Sequence, residues 1–163
     1  MANYAISNST LGGTGTQQAM AATYKTLVSV HASSTGTAGL TRRGKIYDIL
    51  VGTNGTPADN YMEFDLARVT VPSTSAIASA NPLDPADAAF AGGAIANSTT
   101  EGTYTSSGEV WYAGINQRAS YRWVAAPGSE IVYPATSSNG IGLRARSGAY
   151  TGTATGTVYN QEQ

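Results

Sequence analysis

The chain has 163 residues, a mass of 16.7 kDa and a formal net charge of −1, with no cysteine and one histidine. That length suits one domain, and the missing cysteines exclude a disulfide framework, a thiol nucleophile and a thiolate metal site. A lone His31 excludes a His-rich metal cluster. Near-neutral charge leaves no electrostatic footprint for nucleic acid, and no apolar run approaches the ~18 residues that read as a membrane span.

Leu, Ile, Val and Phe together supply only 26 residues, about 16% of the chain against the ~20% below which packed globules are uncommon. Ala, Gly, Ser and Thr make up about half of the sequence. Disorder pairs poor hydrophobicity with high net charge, and the charge is missing, so the chain is expected to fold. Its start, MANYAISNST, lacks the basic and apolar regions of a secretion signal. Synthesis and folding in a cytosol are therefore expected.

Residues 1–22 read as a flexible N-terminal arm, with Gly12, Gly13 and Gly15 among Thr, Ser and Gln. A single domain is expected over 23–163. Tyr24, Val28 and Val30 share one parity, and KIYDILV at 45–51 reads as a strand covered on both faces. Asn54-Gly55 supplies a turn, after which Met62, Phe64 and Leu66 alternate with Glu63, Asp65 and Ala67 as a strand with one wet face. Pro82 and Pro85 argue against regular pairing in the Ala-, Ser- and Asp-rich stretch that follows. A long loop is expected at about 72–100, with one short helical turn capped near Asp84.

Strand rhythm then resumes. Val110 and Tyr112 alternate with Glu109, Trp111 and Ala113, and Tyr121 and Trp123 with Arg122 and Val124. Ile131 and Tyr133 follow the Ala126-Pro127-Gly128 turn. After Asn139-Gly140 come Ile141, Leu143 and Ala145, with Arg144 and Arg146 on the opposite parity. The Thr/Gly alternation of 150–162 closes the chain. About eight strands with almost no helical periodicity predict an all-β fold, a single β-sandwich, with a jelly roll preferred over an immunoglobulin-like order.

Motifs for chemistry are weak. His31 reads as a solvated strand-end residue. Glu63 and Asp65 share a wet parity, which argues against a paired-carboxylate hydrolase. Asp84 and Asp87 are too few for a calcium loop, and Gly12-Gly13-Thr14-Gly15 lacks the Lys-Ser/Thr of a phosphate loop. Chance accounts for the Asn-x-Ser/Thr triplets at Asn8, Asn54 and Asn97. No enzyme activity, catalytic residue, cofactor or metal is expected. Ten Tyr and two Trp are more informative, because these side chains join apolar bulk to a polar tip and favour interfaces. Trp111, Tyr112, Tyr121 and Trp123 are the candidate interface aromatics. Trp111, Tyr112 and Tyr121 double as a stacking platform for sugars. Arg144 and Arg146, joined by Arg118 and Arg122, are read as a basic strip facing an acidic partner. A thin aliphatic content, low charge and small side chains together favour a repeated structural subunit over a free enzyme.

The runs KIYDILVGTNGTPADNYMEFDLAR (45–68), NPLDPADAAF (81–90) and NQRASYRWVAAPGSEIVYPAT (116–136) resemble a group of small virion structural proteins of tailed bacteriophages. The resemblance implies a β-rich decoration or cement protein, a trimer on the outside of the head. It implies the major capsid protein and its own copies as partners, with no nucleic acid and no membrane. It transfers no site residues and does not include the N-terminal arm. Function is thus expected to be stabilisation of the head lattice on the capsid exterior, after synthesis in the bacterial cytoplasm. The alternative is a receptor- or glycan-binding module of a head or tail fibre or spike.

Overall fold

The computed structural model describes residues 1–9, 17–33, 41–56, 58–75 and 78–163. Among these are twelve strands and no helix. They are β1 (Asn3–Ser7), β2 (Gln18–Ala19), β3 (Lys25–His31), β4 (Gly44–Asn54), β5 (Tyr61–Val71), β6 (Ala80–Pro82), β7 (Gly93–Ala96), β8 (Thr103–Asn116), β9 (Tyr121–Val124), β10 (Ile131–Tyr133), β11 (Gly140–Arg146) and β12 (Thr153–Glu162). Sheet A runs β10-β4-β12-β1-β6, with β2 also on β12 and β9 also on β4. Sheet B runs β7-β3-β11-β5-β8. All pairs are antiparallel, and the two sheets pack face to face as a β-sandwich.

The longer pairings are nested. β1 pairs with β12, β3 with β11, β4 with β9 and β10, and β5 with β8. The first half of the chain thus folds back on the second as one long hairpin wound around a common core, the winding of a jelly roll. In an immunoglobulin-like order, consecutive strands such as A and B or F and G share a sheet. Here β3, β4 and β5 alternate between the sheets, so that order is not adopted.

Period-two burial builds the core. In β12 every second residue from Ala154 to Glu162 is buried and the intervening Thr153, Thr155, Thr157 and Tyr159 are not. Ile6, Leu27, Val30, Ile46, Ile49, Phe64, Leu66, Leu143 and Val158 form one contiguous apolar cluster. The accessible surface is 7831 Å², near the ~7,600 Å² expected of a compact monomer of this mass. The few aliphatic residues are therefore concentrated efficiently. Close backbone approach helps: a Cβ at Gly140 would overlap the Val30 carbonyl oxygen, so β11 and β3 meet at a position only glycine fits.

Four sequence expectations are corrected. Residues 1–22 are not simply an arm, because β1 is hydrogen-bonded on both sides, to β12 and β6. Tyr4 and Ile6 insert into the core, and the Tyr4 hydroxyl donates to the Ala88 carbonyl at 2.8 Å. The glycines Gly12, Gly13 and Gly15 and the residue Thr10 lie outside the described residues. The span 72–100 holds β6, β7 and an antiparallel bridge from Thr74 to Thr100. Pro82 is tolerated there because β6 is an edge strand, where a missing N–H breaks no ladder. Asp84 closes a tight turn, not a helical one, accepting from the Ala86 N–H at 2.9 Å. Strand β4 is not covered throughout on both faces, since Leu50 is 43% exposed.

Candidate functional site

The candidate interface aromatics separate onto different faces. Register pairs Trp111 with Leu66 and Trp123 with Ile49, and both partners are core residues. Trp111 and Trp123 accordingly turn inward and pack on the core as half-buried groups. Tyr121 lies against Trp111 with ring centroids 6.0 Å apart, so the pair closes the gap between the edge strands β8 and β9. Tyr112 points the other way, 59% exposed on the outer face of sheet B. The inward parity of β8 is thus that of Trp111, Ala113 and Ile115, and no stacking platform of Trp111, Tyr112 and Tyr121 exists.

The expected basic strip is also dispersed. Arg122 lies on sheet A, where Asp48 takes its guanidinium in paired hydrogen bonds, one at 2.5 Å. Arg118 pairs with Asp59 at 3.0 Å. Arg144 and Arg146 lie on sheet B, directly opposite Asp65 and Glu63 in the β11–β5 register. Arg144 donates to Asp65 from Nε at 2.9 Å and Nη2 at 2.5 Å, and sits 3.5 Å from Glu109. Arg146 donates to Glu63 at 2.6 Å. Each arginine is committed to a carboxylate of its own chain, which leaves little net positive charge for an acidic partner.

Around this pair of ion pairs stands a tyrosine cage. The Arg144 guanidinium lies between the rings of Tyr24 and Tyr104, 4.7 and 4.3 Å from their centroids, and Arg146 is 5.0 Å from Tyr24. The Tyr104 hydroxyl is 2.6 Å from Thr26 Oγ1, which in turn donates to Glu101 at 2.5 Å. Burial, with the Asp65 and Glu63 carboxylates nearby, pushes the Tyr24 hydroxyl up to about 12. Burial pushes the Asp65 carboxyl up and Arg144 opposes it. The parity expected to be wet is therefore covered, and Asp65 is fully buried. Opposite charges two apart on both strands, Glu63 and Asp65 against Arg146 and Arg144, were the signal that identifies this ladder.

His31 is the other reversal. It is fully buried near the meeting of β3, β7 and β11, with Nε2 3.1 Å from Ser29 Oγ. Burial lowers its imidazole to about 4, with the Gly93 backbone opposing part of that shift. Its ring has no exposure to solvent. Among the described residues no group of three or more His, Asp or Glu is placed to hold a metal ion. Among the described residues no helix is long and apolar enough to cross a membrane.

The outer face of sheet A has a different character. Asn3, Ala5 and Ser7 of β1 lie opposite Gln161, Tyr159 and Thr157 of β12, which carries the same face on through Thr155 and Thr153. Leu50 and Val124, 43% and 58% exposed, extend this surface to the β9 edge. Tyr47 and Tyr159 meet there with ring centroids 6.3 Å apart. The charged side chains of that region are paired, Arg122 with Asp48 and Lys45 with Glu130. Comparison with protein-family models, characterised proteins and solved structures found no match to the chain.

Proposed function

We propose that this is a non-enzymatic virion structural protein of a tailed bacteriophage, a decoration or cement protein that binds the outside of the head and reinforces its lattice. The supporting observation is the outer face of sheet A, a surface of Thr, Ser and Ala bordered by Leu50, Val124, Tyr47 and Tyr159, with its charges internally paired. Interfaces are enriched in Tyr and depleted in Lys and Glu, and small side chains let a second surface approach closely. The resemblance to small virion proteins points the same way. In this reading the partners are the major capsid protein and further copies of this chain, arranged as a trimer. The location is the capsid exterior, reached after synthesis in the host cytoplasm.

Particles lacking the protein are expected to burst at lower temperature and under milder osmotic shock, and purified protein added back should restore robustness. A Leu50→Lys/Val124→Lys variant should fold normally and fail to bind such particles. Full restoration by this variant, or equal robustness without the protein, refutes the assignment.

A further inference from the structure

Beside the tyrosine cage, a groove of about 370 Å³ opens on the outer face of sheet B. It is lined by Asn60, Tyr61, Glu63, Tyr112, Gly114 and Asn116, among others. The β5–β8 register puts Tyr61 opposite Asn116, Glu63 opposite Gly114 and Asp65 opposite Tyr112. The two tyrosines therefore stand at opposite corners, four residues and one strand step apart, or roughly 14 Å between Cα atoms. Both residues are more than half exposed, at 54% and 59%. Between them Gly114 contributes no side chain, and the Tyr112 ring leans over it, its hydroxyl 3.5 Å from where a Cβ would stand.

The groove is held in shape. Gly148 N–H donates to the Tyr61 hydroxyl at 3.3 Å, and Ser147 Oγ donates to the Tyr61 carbonyl at 2.8 Å. Glu63 Oε2 accepts from Arg146 and, at 3.3 Å, from the Tyr24 hydroxyl. Its Oε1 and the Asn116 amide nitrogen have no hydrogen-bond partner among the described residues. Asn116 Oδ1 accepts the Arg118 N–H at 2.9 Å, which orients that amide.

From this geometry we infer that the groove between Tyr61 and Tyr112 is a carbohydrate site taking a neutral mono- or disaccharide unit. Exposed aromatic faces carry negative quadrupole and attract the weakly positive C–H face of a pyranose. A carboxylate oxygen and amide groups at the edge supply acceptor and donor for the hydroxyls. Pairing of Glu63 with Arg146 cancels the local charge, which disfavours a phosphate backbone and a cation alike. The volume falls at the small end of the ~300–1,000 Å³ range of ligand pockets. This site is on the sheet opposite to the proposed lattice-binding face and is independent of it.

The test is titration of the full-length ¹⁵N-labelled protein with maltose, lactose, diacetylchitobiose and methyl α-rhamnoside, followed by amide shifts. At least one sugar should shift amides at 60–63 and 112–116 with a Kd on the order of millimolar. Tyr61→Ala and Tyr112→Ala should each weaken binding about tenfold or more. Gly114→Val is the decisive variant. Its Cβ would sit 3.5 Å from the Tyr112 hydroxyl, ordinary contact, in a strand that accepts a β-branched residue. It should keep the native spectrum elsewhere and lose binding. No groove shift with any of the four sugars, binding that survives Gly114→Val, or a larger groove response to tetramethylammonium than to every sugar overturns the inference.

Discussion

Acidification should loosen this sandwich through His31. The unfolded imidazole takes its proton near 6.5, whereas the buried ring does so only near 4. Between those values the unfolded state binds more protons, so folding stability rises with pH and falls as pH drops through that window. Going from pH 7 to pH 4.5 removes about 2.5 kcal/mol by this linkage, a large part of the ~5–15 kcal/mol that holds a typical domain. The Asp65 and Glu162 carboxyls are raised by burial and act with the opposite sign, favouring the fold on acidification. The readout must therefore isolate His31. Urea unfolding at both pH values, followed by the fluorescence of Trp111 and Trp123, supplies it when compared with His31→Gln. The variant is expected to be less sensitive to pH by about 2.5 kcal/mol whatever its absolute stability. Equal pH dependence in the two proteins refutes the assignment of a neutral, buried ring.

Arg144→Met strands the fully buried Asp65 carboxylate and should cost about 3–5 kcal/mol in urea unfolding, while the double variant Arg144→Met/Asp65→Leu should recover most of it. Ile6→Ala should cost about 2–5 kcal/mol, because β1 is part of the core; a loss below ~0.5 kcal/mol, typical of an exposed site, would return that segment to the status of an arm. Gly140→Ala should destabilise the fold by about 1–3 kcal/mol or more, measured as a lower Tm, because its methyl meets the Val30 carbonyl.

The parts of the fold legible in the sequence are those where one parity is apolar and the other is not. In 150–162 the Thr alternation marks β12, and Met62, Phe64 and Leu66 mark the inward side of β5. Strand β8 misleads because both parities carry aromatics, and only the opposing residue Leu66 decides that Trp111 is the inward one. Strand β1 has a clean Tyr4/Ile6 alternation, but five residues beside a Gly- and Thr-rich run are too short a window to separate from chance. His31 has no local mark of burial. Its strand neighbours are Gly93 and Gly140, 62 and 109 residues distant, which the register sets beside it and which leave its ring room. The groove on sheet B was likewise hidden, since Tyr61 and Tyr112 come to border one surface only through the β5–β8 pairing.

Why so lightly charged a chain sets two ion pairs side by side between β5 and β11 follows from its composition. Small side chains specify register weakly, because Thr, Ala and Gly fit many neighbours. A one-residue slip of β11 against β5 exchanges core and surface faces and is already costly. A two-residue slip keeps the faces and is the dangerous error. In one direction it sets Asp65 opposite Gly142, in the other Arg144 opposite Ala67, and each leaves a covered charge without its partner. Such a stranded ion costs several kcal/mol, although the correctly paired bridge adds little to stability over an apolar pair of equal volume. The Arg144–Asp65 and Arg146–Glu63 ladder therefore acts chiefly by penalising the misregistered sheet. It belongs between β5 and β11, where Asp65 and Arg144 are 79 residues apart and no turn sets the register.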